Sequence, residues 1–175
     1  MARTRVVRRG EGPTLVITLH EPEVTLLREL ARDVREVVVA PADSGPVSKR
    51  LFPSAYLDPT EETAEAAWQD HSHGELVSSR LAALDALTAT LDVAQRKKRD
   101  LFELTLDADG QAQWLGVLND ARLIIGTAAG ITEDDDHTNR AFDPRDERSR
   151  QFVMYAWLTE LQADLVDVLL GGLPD

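Results

Sequence analysis

No cysteine occurs anywhere in the 175 residues. That absence excludes a disulfide framework, a thiolate zinc site, a cysteine nucleophile and a thiol redox switch within this chain. Long apolar runs are missing as well. No window approaches the roughly 18 apolar residues of a membrane span, so no membrane association is expected. The basic start Met1-Ala2-Arg3-Thr4-Arg5 lacks the apolar run of about 7–15 residues that marks a secretory leader, and a cytoplasmic protein is the expectation. A Gly-rich phosphate loop, His-Glu-x-x-His and Gly-x-Ser-x-Gly are all absent. No catalytic residue, metal ligand set or cofactor is assigned, and a protein that is not an enzyme is expected.

What is present is a soluble globular composition, 43% apolar and 29% charged, long enough for one domain spanning residues 1–175 with a core of its own. The net charge is −12, yet residues 1–9 carry +4, so the remainder carries −16. An acidic surface repels nucleic acid and anionic membrane at long range. Two basic clusters run against that field: Arg3, Arg5, Arg8 and Arg9, and then Arg96, Lys97, Lys98 and Arg99.

Residues 3–8 and 14–19 read as two strands of a hairpin, with Gly10 and Gly12 between them. Phe102, Leu104 and Leu106 alternate with Glu103, Thr105 and Asp107, a half-buried strand over 101–106 that pairs with the hairpin. The rest reads as five helices at about 21–38, 59–70, 75–92, 109–129 and 145–170. Proline stands at the first helical position in Glu21-Pro22, Asp58-Pro59 and Asp143-Pro144. His73-Gly74 predicts a break between the second and third helices, and Gly130 a C-cap for the fourth. Ala40 to Ser48 and Glu133 to Asp146 read as loops. The expected fold is mainly α (α+β): a helical bundle core with a small antiparallel sheet. In the last helix, Met154, Leu158, Leu161, Leu165 and Val168 form a heptad seam, open to two readings, bundle core or homodimer contact.

Four polar features are candidate sites. Asn119, Asp120 and Arg122 sit among apolar residues of the fourth helix, and Asn119 and Arg122 are three apart, on one face. A partly buried guanidinium needs a partner, which Glu160 or Asp164 would supply. The cluster is either an arginine-centred lock between two helices or a ligand or partner site. Glu133, Asp134, Asp135 and Asp136, followed by His137, offer carboxylates for a hard cation, but without the alternate spacing of an EF-hand loop; a solvated loop or short capped helix is the other reading. His71 and His73 form half of a zinc site with no second half. The two basic clusters would converge into a phosphate-holding or partner-binding patch if the strand at 101–106 lay beside the first strand, or they protect sheet edges from aggregation. No helix-turn-helix or interleaved aromatics mark a base-reading element.

The pieces Leu51-Phe52-Pro53-Ser54-Ala55-Tyr56, Trp114-Leu115 with Leu118-Asn119-Asp120 and Arg122-Leu123, Gly126-Thr127, Ile131-Thr132-Glu133-Asp134-Asp135 and Trp157-Leu158 together resemble the actinobacterial family DUF2017, over most of the chain. Some members are described as oxidative-stress transcriptional regulators. The resemblance implies a cytoplasmic, non-enzymatic regulator or adaptor with protein partners, the transcription machinery among them. It carries no catalytic residues across. Lacking cysteine, this chain would have only Met1 and Met154 for sensing oxidants. Two alternatives stand beside the regulator: a direct DNA-binding regulator using the basic patch, and a carboxylate-rich metal-binding protein or enzyme.

Overall fold

The computed structural model describes residues 5–8, 14–40, 45–55, 58–132 and 143–170. Strands β1 (Arg5–Arg8) and β2 (Leu15–His20) form the expected hairpin. Two further strands, β3 (Gln95–Lys98) and β4 (Leu101–Leu106), extend it to an antiparallel sheet of order β1-β2-β4-β3. β4 lies on the far side of β2, with Leu15 opposite Leu106, Ile17 opposite Leu104 and Leu19 opposite Phe102. Period two thus puts the apolar residues of both strands on one face, where Leu15, Ile17, Leu19, Leu104 and Leu106 are buried. β3 is a strand that the sequence did not reveal. All four of its residues are polar and exposed, so no alternation marks it.

β2 runs without a loop into α1 (Glu21–Val39). The Glu23 carboxylate accepts from the His20 backbone N–H at 2.6 Å, and the Glu21 N–H donates to the Asp100 carbonyl at 2.9 Å. Val24, Leu27, Ala31, Val34 and Val38 recur at helical spacing and are buried. A short helix, α2 (Pro46–Leu51), lies partly inside the stretch read as loop. Pro46 opens it and Leu51 anchors it in the core at 1% exposure. A 3-10 turn at Pro59–Glu61 follows, led by Asp58, whose carboxyl is held below its usual range by hydrogen bonds from Thr60.

α3 (Glu62–Asp92) is one continuous helix, which corrects the expected break at His73-Gly74. A glycine in a helix interior costs only about 1 kcal/mol. Leu76, Val77, Leu81, Leu84, Leu87 and Leu91 keep the helix against the core on the C-terminal side of that glycine. Arg28 pairs with Asp92 at 2.9 Å and Arg35 with Asp85, so α3 runs antiparallel to α1.

α4 (Ala108–Ala128) starts on Asp107, which accepts from the Gly110 N–H at 2.8 Å. Trp114, Val117, Leu118 and Ala121 are buried. The helix ends as expected at Gly130, with φ of 60°: the Ile131 N–H reaches the Gly126 carbonyl and the Gly130 N–H that of Thr127, a Schellman closure. α5 (Glu147–Leu170) packs antiparallel on α4 and against β1. Leu158, Leu161 and Leu165 are buried, and Met154 and Val168 pack against the same core. The heptad seam therefore packs within the chain. Among the described residues no helix is long and apolar enough to cross a membrane.

Candidate functional site

The middle of α4 presents polar residues on two opposite sides. Residues two apart on a helix point roughly 200° from each other, and Asp120 and Arg122 part accordingly. Asp120 faces α3 and is 8% exposed. Arg80 lies across from it, Nε 3.0 Å from the carboxylate Oδ2, although the angle makes no linear hydrogen bond. Arg80 also donates from Nη2 to the Leu51 carbonyl at 2.9 Å, and its guanidinium sits 4.9 Å over the Phe52 ring. The His73 ring lies 4.6 Å from that of Phe52, tilted by 55°. One arginine on α3 thus joins α2 to α4. Burial pushes the Asp120 carboxyl above its usual range, against the opposing pull of Arg80.

Arg122 faces α5. Its Nη1 donates to the Gln162 amide oxygen at 2.7 Å and its Nη2 to the Tyr155 hydroxyl at 3.3 Å, with the guanidinium 5.2 Å over the Tyr155 ring. The expected helix supplies hydrogen-bond partners in Gln162 and Tyr155, two residues that the sequence did not single out. Gly126, one turn on, lets the same tyrosine approach: a Cβ there would stand 3.2 Å from Tyr155 Cε2. Asn119 is exposed, so the three motif residues do not form one site.

Beside the Arg80–Asp120 pair, α3 and α4 enclose an open groove of about 440 Å³. Ala82, Ala83, Ala112 and Gly116 form its apolar walls, and Ser79 and Gln113 add hydrogen-bonding groups. Nothing lies within 4 Å of a Cβ built on Gly116, so this wall has room for a contacting group. Arg80 was missed in the sequence. The signal available was a lone arginine beside the apolar run Leu81, Leu84, Leu87, matched by a carboxylate, Asp120, in an equally apolar helix.

Among the described residues the two basic clusters lie apart. The sheet order puts β1, with Arg5 and Arg8, and β3 on opposite edges; the third expected strand pairs with the second, not the first. Arg3 and Arg9 lie outside the described residues. Arg96 pairs with Glu21 at 3.2 Å and Lys97 with Glu103 at 3.0 Å. The acidic run Glu133, Asp134, Asp135 and Asp136, with His137, also lies outside the described residues. His71 is exposed and His73 half-buried. Among the described residues no group of three or more His, Asp or Glu is placed to hold a metal ion.

A mainly helical domain carrying a small antiparallel sheet is the class that these elements define. The chain matches the family described as Domain of unknown function (DUF2017) over residues 1–169 and belongs to that family. No curated protein and no solved structure matched it.

Proposed function

We propose that this protein is a non-enzymatic cytoplasmic adaptor or regulator that works through contacts with other proteins, the transcription machinery being the first partner to test. The supporting observation is the use to which the motif's charged residues are put. Asp120 and Arg122 are occupied by Arg80, Gln162 and Tyr155, and so hold helices together. That leaves the exposed Asn119 and the open α3–α4 groove as surfaces for a partner. The acidic net charge of −12 favours basic protein surfaces over nucleic acid at long range.

Capture of the full chain from native lysate, with crosslinking and mass spectrometry, tests this reading. A stoichiometric partner that crosslinks to α3 or α4 is expected. Recovery of the chain alone, at every salt concentration, contradicts it.

The direct DNA-binding reading rests on Lys98 and Arg99, exposed cations with no ion pair among the described residues. Fluorescence anisotropy with duplex DNA over roughly 50–200 mM salt separates the two readings, because phosphate contacts show as a steep salt slope.

A further inference from the structure

The sheet ends in two unlike edges. β1 is packed by α5, whereas the chief neighbour of β3 is β4. Gln95, Arg96, Lys97 and Lys98 are all exposed. Among the described residues no strand pairs with the outer side of β3, so that side offers main-chain donors and acceptors to another chain.

The cations along this edge fall into two kinds. Arg96 donates to both carboxylate oxygens of Glu21 at 3.2 Å and lies 5.3 Å over the Phe102 ring. Lys97 is held by Glu103 at 3.0 Å and by Gln95 at 3.3 Å. Lys98 and Arg99, at the turn into β4, are exposed and take no ionic partner among the described residues, in a chain with 31 carboxylates. The register irregularity between Arg96 and Lys98 and the two paired cations already discourage edge-to-edge aggregation. Among the described residues, Lys98 and Arg99 are the two cations at this edge that remain open to a partner's carboxylates.

We infer that the outer edge of β3 receives an extended, acidic segment of a partner protein as an added strand. This goes beyond the adaptor reading, adding a second surface away from the α3–α4 groove, and rests on it. Main-chain hydrogen bonds would give the affinity. Carboxylates opposite Lys98 and Arg99 would fix the register, as opposite charges do across a strand pair. A nucleic acid fits less well. A strand partner gains a hydrogen-bond ladder that phosphates cannot form.

The test uses the full chain and two short acetylated, amidated peptides of alternating Glu and Thr, one unmodified and the other N-methylated at every residue. The second keeps the charge but has no N–H on either side of the strand. The expected result is that the unmodified peptide binds, shifts the backbone amide resonances of residues 95–98, and binds about tenfold more weakly to the Lys98→Glu/Arg99→Glu variant. Both side chains are exposed, so the variant should fold. Equal binding of the N-methylated peptide overturns strand addition. So does no binding of the unmodified peptide, shifts elsewhere, or duplex DNA binding at residues 95–99 more tightly than the peptide. If wild type and variant capture the same lysate protein equally, the edge assignment falls while the adaptor reading stands. If neither captures one, the adaptor reading falls.

Discussion

The Arg80 guanidinium and the Asp120 carboxylate, 3.0 Å apart across the α3–α4 contact, tie together the two most distinctive motifs of the chain. Through its other donor Arg80 also holds the Leu51 carbonyl, the first residue of Leu51-Phe52-Pro53. The pair is largely buried, with side-chain exposures of 21% and 12%. Removing one partner should therefore leave the other poorly solvated.

Replacing Arg80 by Met should cost about 2–4 kcal/mol at neutral pH by urea denaturation, and Asp120→Asn in that background should recover most of the loss. The pH dependence has a definite sign. Burial raises the folded-state pKa of Asp120 above 3.8, so its favourable contribution is complete below that pH and is lost as pH rises through the folded value. Losing Arg80 raises that pKa further. The Arg80→Met penalty should then shrink below pH 3.8 to what the Leu51 hydrogen bond and the Phe52 contact contribute, and grow above it. A pH-independent penalty would mean that Arg80 acts without its pairing to Asp120.

Three glycines should respond differently to alanine. Gly74 in α3 and Gly116 in α4 have nothing within 4 Å of an added Cβ, so Gly74→Ala and Gly116→Ala should each stabilise by about 0.5–1 kcal/mol. Gly126→Ala would press on Tyr155 at 3.2 Å, a ring held by Arg122, and should lower the melting temperature despite the better helix propensity. A stabilising Gly126→Ala would show that α5 is free to move away.

These positions show what the sequence made legible. Glycine spacing revealed the cap at Gly130, because a φ of 60° is a local requirement. It misled at Gly74, where apolar contacts from Leu76 to Leu91 outweigh a local cost. The hairpin and the strand at 101–106 were readable because one face is buried. β3 was not, since Gln95 to Lys98 bury nothing. The charged pair of α4 was recognised as polar residues in an apolar helix, but grouping Asp120 with Arg122 ignored the 200° between them. The Arg80 partner is forty residues away in sequence, a relation that only the fold supplies.

Asp146 begins α5 by accepting from both the backbone N–H and the hydroxyl of Ser149, each at 2.8 Å. Those hydrogen bonds lower its pKa below 3.8, so its contribution to stability is present above that pH and is lost as pH falls through the folded value. Asp146→Asn should leave the melting temperature less sensitive to acid than that of the wild type. Parallel scans from pH 5 to pH 2 check this, and identical acid profiles would contradict the cap.

Trp157 donates from Nε1 to Glu23 at 3.3 Å, the carboxylate that also accepts from the His20 N–H. Trp157→Phe should cost roughly 1–3 kcal/mol by denaturant unfolding, a lost hydrogen bond plus some packing. Its coupling to Glu23→Gln should be measurable in a double-mutant cycle, and strict additivity would remove the link between α5 and the start of α1.

The most direct measurement sets the helix-locking role of the motif against a binding role. Wild type and a folded Arg80→Met/Asp120→Asn variant are carried through the same native capture, and the mass of each eluted complex is determined by light scattering. If the pair only holds α3 and α4 together, both chains recover the same partner at the same stoichiometry. Loss of the partner from the folded variant alone would make Arg80 and Asp120 part of the binding surface. A mass of 19.4 kDa for both, the chain by itself, would contradict the adaptor function.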